Sequence, residues 1–287
     1  MKILVLCSGG DAPGMNRFVH TLSKNFDEVF YAYAGFKGLV EGDIRKLDKS
    51  EMEKLKDEAG AYIRSSRYEK FKEKKYFQKG LKNALKFDVV VVLGGNGSHK
   101  GAKELSCGGA NVLFVPATID NDVDGASYSI GFDSAVWQGV YTVENSMPSI
   151  NTFSQVCLFE VMGRRCPKIA EEVFKRANAD YLIADESDLK YGKIKQIIKA
   201  NEKKEVGTAI IVRENILNID ELALKLGSKE KVKCQVVGRL QRGGKPTKSE
   251  LKRADAVARA VVSAIKLQNF NNMICYETFE KVTTKPL

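Results

Sequence analysis

The sequence predicts an α/β architecture, with mainly parallel sheets covered by helices on both faces and the chain divided between two domains. Three observations carry that expectation. Short apolar runs alternate with longer stretches of helical period. Several of those runs end in glycine-rich or acidic turns, and ligands bind at such carboxyl edges in open α/β sheets. Finally, 287 residues, 44% of them hydrophobic, suffice for one large or two medium cores.

In chain order, residues 2–7, 28–34, 88–93 and 111–115 read as strands, the third of them valine-rich. Residues 15–24, 51–59, 69–85 and 100–105 read as the helices between them. The second half repeats the theme, with strands at 156–161, 181–184, 207–212 and 235–237 and helices at 167–177, 219–226 and 252–265. No proline-rich linker separates the halves, and no repeat period is visible. Trp137 is expected to be a packing residue near the domain boundary.

Composition excludes disordered, collagen-like and disulfide-scaffold classes. The longest purely apolar run, 29–34, is six residues, far below a membrane span, and no export signal is read at the N-terminus. A cytoplasmic location is expected. The six cysteines show no metal-ligand spacing and read as reduced thiols, mostly buried in or near strands. The formal charge of +10 points to a polyanionic partner, either nucleic acid or a phosphorylated small molecule. The lysine-rich runs at 70–75 and 202–205 mix signs, which favours solvated surface over a nucleic-acid patch.

Three strand ends carry candidate chemistry. Ser8-Gly9-Gly10-Asp11-Ala12-Pro13-Gly14 follows the first strand; it is neither a dinucleotide fingerprint nor a P-loop, and reads equally as a tight turn. Gly94-Gly95-Asn96-Gly97-Ser98 follows the third, and three glycines at a strand-to-helix turn can cradle phosphates with backbone N–H groups. His99 next to it reads as a solvent-facing helix residue. Thr118-Ile119-Asp120-Asn121-Asp122 follows the fourth, a carboxylate pair suited to a general base and a Mg²⁺ partner in phosphoryl transfer. In the second half, Met162-Gly163-Arg164-Arg165 and Gly238-Arg239-Leu240-Gln241-Arg242-Gly243-Gly244 set arginines beside glycines at strand ends, which favours anion binding.

Taken together, Ser8–Asn16, Arg67, Gly94–Ser98, Thr118–Asp122, Met162–Arg164 and Gly238–Gly244 stand in an order and spacing that resembles the bacterial phosphofructokinase family, from the first residue to about Ile265. The resemblance implies two Rossmann-like domains: 1–131 plus about 245–275 binding nucleotide, and 132–244 plus the C-terminal remainder binding sugar phosphate. It implies an ATP-dependent kinase for the 1-hydroxyl of fructose 6-phosphate, a homo-oligomer with shared active sites, usually a tetramer, and no nucleic-acid or membrane partner. By the same resemblance Asp120 is the base, Thr118 a substrate contact and Arg164 a catalytic cation, while Asn96 and Asp122 lie at the Mg²⁺ that accompanies ATP. Gly10, Arg67, Tyr68, Gly95, Asn96, Gly97 and Ser98 correspond to the nucleotide site. Met162, Gly163, Arg164 and Glu214 correspond to the sugar contacts, with Lys233, Arg239 and Arg242 around the 6-phosphate.

The sequence departs from the family at several of these positions. The family has Asp where Asn96 stands, and arginines reaching from a neighbouring subunit where Gln155 and Lys233 stand. Arg239 replaces a histidine, and His20, Lys24 and Lys49 stand at allosteric-site arginines. Pyrophosphate-using relatives carry Asp at Gly97 and Lys at Ala117; the small residues here favour ATP. Two other readings stay open at this level: a catalytically impaired paralogue in a regulatory role, and a kinase for another phosphorylated ketose.

Overall fold

A computed structural model describes residues 1–278 and 280–287. The chain forms two compact units, Met1–Asp133 with Lys245–Leu287, and Ser134–Gly244. The strands, in chain order, are β1 (Lys2–Ser8), β2 (Glu28–Ala32), β3 (Ile44–Lys46), β4 (Ser65–Ser66), β5 (Val89–Gly94), β6 (Val112–Pro116), β7 (Val156–Val161), β8 (Tyr181–Ile183), β9 (Thr208–Arg213), β10 (Val232–Val236), β11 (Asn272–Tyr276) and β12 (Val282–Pro286).

The first unit holds an eight-stranded sheet ordered β12-β11-β6-β5-β1-β2-β3, with β4 also paired to β1. Its centre is parallel, while β3 and β12 run antiparallel at the two edges. The period-2 pattern explains the core. Leu4, Leu6, Val90, Val92 and Phe114 pack with Phe36, Leu39, Phe71 and Leu105 in one buried cluster. Ile3, Val5, Val89 and Val91, on the alternate positions, are also fully buried, so both sheet faces are covered. Each such side chain contributes about 1.5–3 kcal/mol on leaving water.

The second unit is an all-parallel sheet ordered β10-β7-β9-β8. Leu158, Ile183, Ile210 and Val212 pack there against Ile194, Ile198 and Leu222. Asn218 starts the helix Ile219–Leu226 by accepting from the N–H groups of Asp220 and Glu221.

Several expectations change. The C-terminal remainder does not belong with the second unit: β12 pairs antiparallel with β11, which itself continues the first sheet beside β6. The helix expected at 69–85 breaks at Glu73, whose extended backbone separates a 3₁₀ turn, Glu69–Lys72, from the helix Lys74–Ala84. The helix expected at 100–105 spans Asn96–Cys107, which puts Asn96, Gly97 and Ser98 in its first turn. Trp137 is 46% exposed on the helix Phe132–Thr152 and packs only loosely beside Tyr141. His99 is not solvent-facing; its ring stacks on Phe114 at 4.8 Å, and burial lowers its pKa. All six cysteines are free thiols, and burial pushes Cys7 and Cys157 up to about 12. Among the described residues no helix is long and apolar enough to cross a membrane.

Candidate active site

In the first unit the chain leaves β1 through the helix Met15–Ser23 to β2 on one side, and β5 pairs with β1 on the other. The loops after β1 and β5 therefore diverge, opening a crevice at the carboxyl ends. Three contacts fix its floor. Ser98 Oγ donates to Ser8 O at 3.0 Å, Ala117 N–H to Gly94 O at 2.9 Å, and Gly9 N–H to Ser66 O at 3.0 Å. The two-residue β4, paired with Cys7 and Ser8, thus sets Arg67 and Tyr68 beside the β1 loop. Arg67 is exposed, and Tyr68 packs edge-on against Tyr76 at 6.2 Å.

Gly95 precedes the helix Asn96–Cys107, which opens at the carboxyl end of β5, and Gly95 O accepts from Ser98 N–H at 2.9 Å and His99 N–H at 3.0 Å. A Cβ on Gly97 would meet no heavy atom within 4 Å, so the space above this turn is open. Ala117, by contrast, is fully buried.

The segment after β6 is braced by backbone contacts. Asn121 holds φ +51, a left-handed conformation that Asn tolerates. Its Oδ1 accepts from Ser129 N–H at 2.8 Å, and Ser129 Oγ donates to Thr118 O at 2.6 Å. Thr118 Oγ1 accepts from Asp120 N–H at 3.3 Å. Asp120 is 7% exposed, whereas Asp122 is solvent-exposed. Asn96 Nδ2 donates to Asp122 O at 2.8 Å, and Asn96 Oδ1 receives a long contact from Asp124 N–H at 3.4 Å. Among the described residues no cluster of three or more His, Cys, Asp or Glu side chains could hold a metal by itself.

In the second unit β7, β9 and β10 end side by side. Glu214 follows β9, and its Oε1 accepts from Gly163 N–H at 3.0 Å and Arg164 N–H at 2.9 Å. Gly163 needs its φ of +145, since a Cβ would lie 2.6 Å from Cys166 O. Gln241, fully buried, joins the two arginine turns: Oε1 accepts from Met162 N–H at 2.7 Å, and Nε2 donates to Ala135 O at 3.0 Å. Arg239 and Arg242 follow β10 at the same edge. Lys233 does not join them. It is the second residue of β10, paired with Cys157 near the amino end, and its Nζ donates to Lys229 O. Gln155, which precedes β7, lies at that amino edge too and donates to Glu230 O at 2.7 Å.

A sequence model described as phosphofructokinase matches residues 2–265. The chain belongs to the phosphofructokinase family. It is 32% identical, over 98% of its length and 92% of the relative's, to a probable ATP-dependent 6-phosphofructokinase of Malacoplasma penetrans. It is 34% identical to the ATP-dependent 6-phosphofructokinase of Vibrio parahaemolyticus, over 86% of this chain and 80% of that one. Its fold superposes with a TM-score of 0.88 on Pichia pastoris phosphofructokinase in the T-state, at 24% identity, spanning 99% of this chain and about a third (34%) of the Pichia chain.

Within this phosphofructokinase fold, the first unit gathers Gly10, Arg67, Tyr68, Gly95–Ser98, Thr118, Asp120 and Asp122 along one sheet edge. The second gathers Met162, Gly163, Arg164, Glu214, Arg239 and Arg242 along one edge of its own. Of the positioning residues, Asn121 and Gln241 stand inside the motifs read from the sequence without a role assigned to them there, and Ser129 was not singled out. For Asn121 the signal was present, since a turn Asn beside two aspartates is a usual left-handed residue.

Glu214 holds its turn through backbone N–H groups, each bond to a charged group contributing about 1.5–3 kcal/mol. Glu214→Ala is expected to raise the acceptor KM by about tenfold or more, the equivalent of 1.4 kcal/mol, with the nucleotide KM unchanged. Glu214→Gln, which keeps the accepting oxygen, should recover most of the loss. Steady-state kinetics in both substrates would check this.

Proposed function

We propose that this chain is an ATP-dependent 6-phosphofructokinase of the cytoplasm, transferring the γ-phosphoryl of ATP to the 1-hydroxyl of fructose 6-phosphate, a step of glycolysis. The observation that carries the reading is the buried Asp120 on its braced turn, one strand from the phosphate-cradling turn at Gly94–Ser98. Asp120 accepts the proton of the acceptor hydroxyl, with Thr118 beside it to orient that group. The N–H groups opening the helix Asn96–Cys107, together with Arg67, hold the donor phosphates; the second unit holds the sugar through the Met162–Arg164 turn and the 6-phosphate through Arg239 and Arg242.

Mg²⁺ fits the residues present when it arrives with the nucleotide, because such an ion is usually bound by one or two carboxylates together with substrate phosphates and water. Asp122 and the Asn96 amide oxygen would hold it, and it would neutralise charge on the transferring phosphoryl group. Asn96→Asp adds a charge but removes the bond donated to Asp122 O. It is therefore expected to lower the half-saturating Mg²⁺ concentration by about three- to tenfold and to lower Tm as well; a Mg²⁺ titration and a melting curve check both.

Open space at Gly97 favours ATP over pyrophosphate as donor. Lys233 and Gln155, set at the amino edge, favour a homo-oligomer, by resemblance a tetramer, in which each copy completes a neighbour's phosphate site. The test is turnover of fructose 6-phosphate by pure protein with Mg²⁺ and either ATP or pyrophosphate. ATP should be used at least about a hundredfold more efficiently, a difference of ~2.7 kcal/mol. No ATP-dependent turnover above that of Asp120→Asn would sink the reading.

A further inference from the structure

From Lys74 to Phe87 the chain carries five lysines and no acidic residue, which is half of the formal charge of +10. The mixed-sign run at 70–75 separates in the structure. Glu69 pairs with Lys72 in the 3₁₀ turn, and Glu73 stays outside the helix Lys74–Ala84. The helix then sorts its residues by face. Phe77, Gly80, Leu81 and Ala84, at helical spacing, turn to the core of the first unit. Lys75, Lys79, Lys82 and Lys86 recur at the complementary spacing, and all four are exposed. Lys86 follows the C-cap Leu85, whose backbone is still helical, and its N–H donates to Asn83 O. At about 100° per residue the four fall within an arc of about 60°, opposite the core face. At about 1.5 Å per residue they extend over about 16 Å.

A solvated helix face ordinarily pairs such charges. The helices Lys49–Leu55 and Lys168–Arg176 do so, through Lys54 with Glu51 and Arg176 with Glu172. Among the described residues none of Lys74, Lys75, Lys79, Lys82 and Lys86 is ion-paired. Lysines three and four apart on the stripe repel one another. Lys74 and Lys75 also stand at the positive end of the helix dipole, in a first turn without acids. A polyanion laid along this face relieves both costs.

We propose that this stripe is a docking surface for the phosphodiester backbone of duplex nucleic acid, bound without regard to base sequence. Such a partner lies outside what the family resemblance implies, and the inference is independent of the kinase reading. A DNA duplex carries one charge per about 1.7 Å of axis, so a stripe of about 16 Å meets a continuous line of phosphates. Lysine is a point charge without the guanidinium fork that reads base edges, which suits backbone contact alone. A lipid surface fits less well. An interfacial helix sinks an apolar face into the bilayer, and here that face is committed to the core. Among the described residues Leu85 is the only exposed large apolar side chain of this segment.

Fluorescence anisotropy of a labelled DNA duplex of about 20 base pairs, titrated with the full chain between about 50 and 200 mM NaCl, tests this. The logarithm of affinity should fall against that of salt with a slope of about −3.6, or about −0.9 for each of the stripe's lysines. Lys79→Gln and Lys82→Gln should each weaken binding about five- to tenfold near 0.1 M salt and reduce the slope by about one. Turnover and Tm should stay unchanged in both. Lys195→Gln, an equal change of charge at an exposed position of the helix Tyr191–Glu202, should alter affinity by less than about twofold. A duplex of unrelated sequence should bind equally well, and saturating ATP at constant ionic strength should not displace either. The proposal is overturned by absence of binding at the lowest salt, or by equal losses in Lys79→Gln and Lys195→Gln. Displacement by ATP would place the duplex in the nucleotide crevice and overturn it too. Binding to phosphatidylglycerol vesicles that Lys79→Gln abolishes, with the duplex left unbound, would assign the stripe to a lipid surface instead.

Discussion

Asp120→Asn is expected to lower kcat by about 10²–10⁴-fold while changing both Michaelis constants far less. The substitution keeps volume and shape but removes the proton acceptor at the end of β6. The surrounding turn depends on Asn121, Ser129 and Ser127 and their backbone partners, which the substitution leaves in place. Tm should therefore stay close to that of the unsubstituted protein. Initial rates across both substrate concentrations, with a melting curve on the same preparation, would test this. A kcat within tenfold of the unsubstituted protein would remove Asp120 from the role of base.

Gly94→Ala is expected to have the next largest effect, and for a different reason. A Cβ there would lie 2.3 Å from Ser98 Oγ and 2.5 Å from Ser8 O. Ser8 O is main chain in the central strand and cannot give way without moving β1. Ser98 must then leave its bond to Ser8, and the helix start at Asn96 moves with it. Overpacking of this kind costs about 1–3 kcal/mol of stability. A shift near 1 Å at a phosphate-positioning turn can cost about 10²-fold in rate. The expected outcome is a fall of about that size in kcat/KM for ATP, together with a lower Tm. Gly97→Ala, facing open space, should be far milder in the apo protein. Similar losses in both variants would disprove the steric argument.

The parts of this molecule legible in the sequence are those where chemistry forces residue type. Glycines clustered at Gly94–Gly97, and aspartates at Asp120 and Asp122, stand out because few other residues suit those turns. The central strands were legible through unbroken apolar runs such as Val89-Val90-Val91-Val92. The helix Phe132–Thr152 was not, because Gly139 and Pro148 sit inside it and weaken any helical reading. The break at Glu73 was equally hidden, since Glu69 to Leu85 is rich in good helix formers and the stop is set by packing of Phe71 against Phe36 and Phe77. β3 and β12 are short edge strands with too few apolar residues to announce themselves. Arg213, and the role of Gln241 within its motif, escaped notice for a related reason. Each looks like an ordinary strand-end or turn residue until the fold shows which carbonyls and N–H groups it meets.

The first unit is discontinuous in sequence, and this sets an order of events during synthesis. β6 is made early, but its neighbour β11 is encoded about 160 residues later, after the whole of the second unit. Until then the Val112–Pro116 strand presents an unpaired apolar edge, a template for pairing with other chains. The second unit's residues are contiguous, so its parallel sheet can close while the first is still waiting. When the last segment emerges, the Asn271 side chain accepts from Val112 N–H, Asn271 N–H donates to Val112 O, and β11 seals that edge. β12 then covers β11 in turn. Nascent chains released before this point would carry a complete set of candidate site residues on an open sheet, exposed to aggregation and dependent on chaperones.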